Sequence, residues 1–254
     1  MYAVDSRARL IPGATIQFGG DEATHAVKVS RLRAGERVLV SNGHGTIAQV
    51  EATDVSPSSV TAVVLTVNHH APLTPEVWLV QALAKGGRDE LALEAAVELG
   101  VSTVIPWQAE RSVAVWRGDK KADGHQRWAR IAHEAAKQSL QAYFPTVRPL
   151  HTGADLVVLA GEVSMVVLDP DAPKPLRDVA RSLPDDRPIA LVVGPEGGIS
   201  DAEREELVQA GAATARLGPT VLRTSTAGPV GLAITLSARG MWDSLGKPES
   251  GFVD

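Results

Sequence analysis

The chain has 254 residues, with 25 Lys and Arg against 30 Asp and Glu, a formal net charge of -5, and no cysteine. The missing cysteines exclude disulfides, thiolate metal sites and cysteine nucleophiles, and the acidic balance excludes a protein drawn bodily onto nucleic acid by its overall field. The length permits one large domain or two modest ones, each with its own core.

The start, MYAVDSRARL, lacks the basic segment and apolar stretch of a secretory signal, and no 18-residue apolar run follows. A soluble cytoplasmic protein with no membrane partner is expected. Residues 10–67 alternate β-prone stretches with turn signals: ATIQF before GGDE, RVLV before SNGHG, TIAQVEAT before SPSS, then VTAVVLTV. Short strands at such regular spacing predict a small β-barrel. Up to residue 70 the chain is neutral, with Arg7, Arg9, Lys28, Arg31, Arg33 and Arg37 against six acids, so any nucleic-acid contact there must be local. NHHAPLTP, residues 68–75, has two prolines and no periodicity and reads as a linker. Its His69 and His70 have no carboxylate partner nearby, and no metal is expected. The expected domains are therefore 1–70 and 75–254.

After the linker, strands alternate with amphipathic helices: VWLVQAL, RDELALEAAVEL ending at Gly100, VSTVIPW, QRWARIAHEAAKQS, SMVVLD and IALVV. That alternation predicts an α/β domain with a mainly parallel sheet covered on both faces. In the helix from Gln126, the side chains of Arg127, Arg130, His133 and Lys137 share one face opposite Trp128, Ile131 and Ala135, as expected of a solvated stripe. The five Trp residues are expected in core or interface.

LVVGPEGGIS, residues 191–200, places a buried strand before a Gly-rich loop, and Ser200 with Glu203 forms an S-x-x-E capping box for the helix closed by Gly211. Neither GxxxxGK[ST] nor GxGxxG is present, and Glu196 sets a carboxylate where a phosphate would sit. A hydroxylated or cationic ligand suits this loop better, and a βα turn without a ligand suits it equally. A second loop follows the short strand TARL at 214–217, where LGPTVLRTSTA breaks at Gly218 and Pro219 before a helix that begins near Ser225. Two Gly-Pro loops at strand ends suggest one crevice, where open α/β sheets bind ligands.

Together these loops closely resemble the paired C-terminal motifs of the SPOUT-class ribosomal small-subunit RNA uridine-N3 methyltransferases of the RsmE type. The likeness extends to His25, Val29, Arg31, Leu32, Gly35, Gly43 and Gly45, to QALAKGGRDELALEAAVELGV, to Glu110–Val113, and to Gln138 with Ser139. The resemblance implies a deep trefoil knot, an exception to the rule that chains avoid threading. It also implies a PUA-like N-terminal barrel that binds RNA, and a homodimer with RNA crossing the subunit interface. S-adenosyl-L-methionine would lie bent among Leu168, Asp169, Gly194, Pro195, Glu196, Gly198, Leu217, Gly218, Val221, Leu222 and Thr226. The implied substrate is 16S ribosomal RNA, naked or in the assembled small subunit. Arg223 is the candidate for stabilising a uridine that has lost its N3 proton, though an Arg there equally suits a phosphate contact or a carboxylate pair. Arg31, Arg33, Lys85, Arg88 and Arg111 are the candidates for pairing RNA phosphates.

Four positions depart from the family pattern. Thr220 stands for an Arg and Ser225 for a Glu in the second loop, Ala95 for a Lys, and Gln141 near a usual Arg. These neutral positions keep two alternatives open: a knotted RNA-binding or ribosome-assembly protein with weak or no catalysis, and a SPOUT enzyme acting on another RNA.

Overall fold

A strand whose residues are all apolar suits the middle of a parallel sheet, whereas strict alternation suits a sheet with one wet face, and the chain uses both patterns. The computed structural model describes residues 1–242, and these fall into two units, 1–72 with 136–144, and 73–135 with 145–242.

The first unit contains β1 (Tyr2–Ala3), β2 (Thr15–Gly19), α1 (Gly20–Lys28), β3 (Arg37–Ser41), β4 (Thr46–Ser56) and β5 (Ser59–His69). The sheet order is β1-β3-β4-β5-β2, with β1 parallel to β3 and the other pairs antiparallel. Alternate residues Ile16, Phe18, Val60, Ala62 and Val64 turn inward onto Ala23 and Ala26 of α1, and Tyr2 stacks on Phe18 with ring centroids 5.5 Å apart. The GGDE segment, expected as a turn, instead starts α1: Asp21 and Glu22 occupy its first turn, where carboxylates favour the positive end of a helix, and Ala23 and Ala26 bury one face. The register of β4 against β5 shifts between Gln49 and Val50 and between Ala52 and Asp54, as bulges produce.

The second unit contains β6 (Val77–Ala82), α2 (Arg88–Glu98), β7 (Thr103–Trp107), α3 (Lys120–Gln138), β8 (Thr146–Val147), α4 (Gly153–Leu159), β9 (Ser164–Leu168), α5 (Leu176–Ser182), β10 (Ile189–Val193), α6 (Asp201–Gln209), β11 (Ala213–Ala215) and α7 (Thr224–Ala238). The last residues of α3, from Ala136, belong with the first unit. Six strands run parallel in the order β11-β9-β10-β6-β7-β8. Every residue of β6, β7 and β10 is buried, matching their unbroken apolar sequences apart from Gln81 and Thr103. The α3 helix begins at Lys120 rather than Gln126. The solvated stripe is corrected at its end: Lys137 is buried, with its Nζ 2.6 Å from Glu22 Oε1 within the first unit. A long aliphatic stem tolerates burial when its ammonium meets a carboxylate.

The chain leaves β10 through α6, passes β9 and adds β11 at the edge, so the strand ends of β9, β10 and β11 carry adjacent loops. Along α7, Gly231 allows close packing, because a Cβ there would come within 3.0 Å of Leu168 Cδ1 and 3.2 Å of Leu191 Cδ1. Among the described residues no helix is long and apolar enough to cross a membrane.

Candidate active site

The loop after β10 is shaped by its own backbone. Gly198 has φ +75°, a left-handed conformation that favours glycine, and a Cβ on Gly194 would sit 2.7 Å from Ile199 Cγ1. The predicted capping box then starts α6: Ser200 Oγ accepts from the Glu203 N–H at 3.2 Å, and the Glu203 carboxylate accepts from the Ser200 N–H at 3.1 Å. Glu203 also accepts from the Glu110 N–H at 2.7 Å, which ties in the loop after β7. Underneath, the buried Trp107 indole donates to the Val193 carbonyl at 2.9 Å.

The second loop spans residues 216–223, between β11 and α7. Its start is held by Arg216, which donates to the carbonyls of Ala172 and Pro173. Its end is held where Thr224 Oγ1 donates to the Gly194 carbonyl at 2.8 Å and accepts from Gln81 Nε2 at 2.8 Å. The two loops therefore share a seam, and beside it lies a cavity of about 580 Å³ at the carboxyl ends of β9, β10 and β11.

Most residues that the sequence singled out meet at this cavity. Leu168 at the end of β9 and Asp169 just after it line the cavity, with Gly194, Pro195, Glu196 and Gly198 from the first loop and Leu217, Gly218, Val221 and Leu222 from the second. Arg223 lines it as well, together with Arg88 and Arg111. Thr226 does not line it, although Thr224 and Ala227 on either side do. Lys85 is absent from the lining, but its backbone N–H donates to Glu196 Oε1 at 3.0 Å. Arg31 and Arg33 are exposed in the first unit, and Arg31 has φ 55°. Of the departures, Thr220 lines the cavity and Ser225 does not.

Arg204 and Gln81 belong to the site's framework and were not singled out from sequence. Arg204 bridges Asp169 at 3.4 Å and Asp201 at 2.7 Å on the cavity wall. Its Asp201 partner is at i−3 in α6, a helical spacing that could have been read, but Asp169 lies 35 residues away. Gln81 is a lone amide in an apolar strand, and that mismatch was the readable signal.

The cavity lining carries four arginines (Arg88, Arg111, Arg204 and Arg223) and four acids (Asp169, Asp171, Glu196 and Asp201). Glu196 pairs with Arg88 at 2.9 Å and Arg204 pairs with two aspartates, while Arg111 donates to the Gly197 carbonyl at 3.3 Å. Among the described residues no carboxylate pairs with the exposed Arg223. Partial burial pushes the Glu196 carboxyl upward, but hydrogen bonds from its own backbone, the Lys85 N–H and Arg88 outweigh that and hold it below the usual carboxylate range. A concave site of this size with convergent polar groups suits a small-molecule cofactor, and two of its arginines, Arg111 and Arg223, have no carboxylate partner among the described residues.

Comparison with known proteins agrees. Residues 71–236 match a family model described as an RNA methyltransferase domain, and residues 18–65 one described as an RNA methyltransferase PUA domain. The chain is 38% identical over 237 residues to the ribosomal RNA small subunit methyltransferase E of Mycobacterium tuberculosis (strain CDC 1551 / Oshkosh), covering 91% of this chain and 90% of that protein. It is 31% identical over 220 residues to the protein of the same name from Bacillus subtilis (strain 168), covering 84% and 86%. A solved structure from Legionella pneumophila with the cofactor SAM bound shares 28% identity and a TM-score of 0.83, over 93% of this chain and 97% of that one. The cavity built by the two loops is thus carried on an α/β domain preceded by a PUA domain, and the chain belongs to the RNA methyltransferase family.

Proposed function

We propose that this protein is an S-adenosylmethionine-dependent methyltransferase acting on N3 of a uridine in the 16S ribosomal RNA of the small subunit. The observation that carries this reading is the joining of the two motif-bearing loops around one cavity, with Arg223 at its wall and unpaired by any carboxylate among the described residues. S-adenosylmethionine fits it, because the volume of about 580 Å³ lies in the range of small-molecule sites and the loops offer backbone donors and acceptors on both sides. The residues proposed to hold it are Leu168, Asp169, Gly194, Pro195, Glu196, Gly198, Leu217, Gly218, Val221 and Leu222, all of which line the cavity, whereas Thr226 does not. When bound, it supplies an electrophilic methyl group on a sulfonium.

The chain's own residues do the rest by positioning and electrostatics. Uridine N3 carries a proton at neutral pH, which leaves to solvent water as the N3–methyl bond forms and the sulfonium–methyl bond breaks, so the site must favour its loss. The Arg223 guanidinium stabilises the resulting anion. Glu196, held below the ordinary carboxylate range, is a weak base, so it orders the loop with Arg88 and Lys85 rather than taking the N3 proton. Arg31, Arg33, Lys85, Arg88 and Arg111 pair RNA phosphates in this reading, with Arg88 dividing its charge between RNA and Glu196.

The finer architecture belongs to the same proposal: domains at 1–70 and 75–254, the first closing as a PUA-like barrel, the second threaded as a deep trefoil knot. The bond from Thr224 to the Gly194 carbonyl, 30 residues earlier, supports the knot, because a threaded α7 must start beside the first loop. A cytoplasmic homodimer completes the reading. The alternative, a knotted RNA-binding or assembly protein with weak or no catalysis, is favoured by neutral Thr220 on the cavity wall where the family usually has Arg. Isothermal titration with S-adenosylmethionine tests the proposal: saturable binding is expected, and none at millimolar concentration would overturn it.

A further inference from the structure

Strand β6 reads VWLVQA, and its one strongly polar side chain, Gln81, is fully buried. Burying an amide is unfavourable unless its hydrogen-bonding groups are met. Gln81 Nε2 donates to Thr224 Oγ1 at 2.8 Å and to the Ala82 carbonyl at 3.2 Å, whereas its Oε1 has no hydrogen-bond partner. The direction of the chain explains this. Thr224 has a single hydroxyl proton, which goes to the Gly194 carbonyl at 2.8 Å, so its oxygen can only accept from Gln81. The amide must present its NH₂ group, and its oxygen is left facing packed side chains. A Cβ on Gly228 would lie 3.4 Å from that oxygen and 3.0 Å from Leu79 Cδ1, so α7 packs directly over the amide.

The seam therefore runs from the centre of the sheet, through the first residue of α7, to the first glycine of the loop after β10. We propose that Gln81 is a positioning residue: acting through Thr224, it fixes the Gly194 carbonyl and so sets the spacing of the two loops that bound the cavity. Gln81 itself does not line the cavity, while Thr224 and Gly194 do. The consequence for S-adenosylmethionine affinity rests on the function proposed above, but the consequence for loop order does not.

The direction of the bonds supplies the test. Gln81→Met keeps the length of the side chain but has no N–H to donate, so Thr224 Oγ1 loses the bond that ties it to β6 and the Gly194 carbonyl is left with a hydroxyl free to turn. Thr224→Val removes the relay outright, and Thr224→Ser keeps it. Hydrogen exchange on the protein without cofactor is expected to speed up in 194–198 and 217–223 together in Gln81→Met and Thr224→Val, with Thr224→Ser close to wild type. With S-adenosylmethionine, the same two variants should bind about fivefold to tenfold more weakly, as for loss of one buried hydrogen bond. The double variant should be no weaker than the worse single one, because both break one relay. If Gln81→Met does not fold, Gln81→Leu, which also lacks the donor, takes its place. Unchanged exchange in both loops in folded variants, or acceleration in one loop alone, overturns the proposal. Absence of wild-type cofactor binding would count against the proposed function while the exchange result still decides the role of Gln81.

Discussion

Replacing Trp107 by Phe isolates the link between the core and the first loop. Trp107 is fully buried at the end of β7, and its indole N–H donates to the Val193 carbonyl one residue before Gly194. Phe keeps the aromatic character but removes that donor, and leaving a buried carbonyl short of its partner costs about 1–2 kcal/mol. The smaller ring also forfeits on the order of 40 Å² of buried apolar area, about 1 kcal/mol. A void of roughly 30 Å³ adds about 0.7 kcal/mol if the surroundings do not relax. The expected loss is thus about 3 kcal/mol. Urea denaturation followed by far-UV circular dichroism should show a lower midpoint with an unchanged slope. Trp116→Phe is the control, since Trp116 is only partly buried and meets Trp128 edge-on at 5.5 Å, and it should cost under about 1.5 kcal/mol. Equal losses in the two variants would mean that the Trp107 bond to Val193 contributes nothing of its own.

Arg223→Ala should lower kcat about 100-fold with little change in the KM for S-adenosylmethionine, as for loss of a donor to a developing anion, and Arg223→Lys should recover part of it; steady-state methyl transfer to small-subunit RNA reads both. Gly194→Ala brings a Cβ against Ile199 at 2.7 Å, so calorimetry should find cofactor affinity reduced at least about tenfold, as a clash worth more than 1 kcal/mol implies. Glu196 is depressed in the folded protein, so its contribution to stability is complete above the ordinary carboxylate value of about 4.3 and is lost as pH falls through the lower folded value. Melting curves in acid should therefore fall less steeply for Glu196→Gln than for wild type. Thr152→Ala removes the cap of α4, where Thr152 Oγ1 accepts from the Asp155 N–H, and should cost about 1 kcal/mol by denaturant titration.

The strands of the second unit were legible because β6, β7 and β10 are buried on both faces and so lack a competing pattern. The capping box at Ser200 was legible for a similar reason: both of its bonds are local. Shorter pieces were not. α4 and α5 span seven residues each, too few for a clear helical period, and β8 has two. The start of α1 was hidden by two glycines that ordinarily signal a turn. At the site, the cavity-lining residues followed from the paired loops, but the contacts that set them in place did not. Trp107 reaches Val193 across 86 positions, Gln81 reaches Thr224 across 143, and Lys137 reaches Glu22 across 115. Such contacts leave only indirect traces in sequence, such as one amide among apolar residues.

Methylation of a uridine at N3 in 16S ribosomal RNA is read by mass spectrometry of that RNA from a strain lacking this chain. One N3-methyluridine is expected to disappear, to return with the wild-type gene and to return more slowly with Arg223→Ala; unchanged N3-methyluridine in the deletion strain would contradict the proposed function.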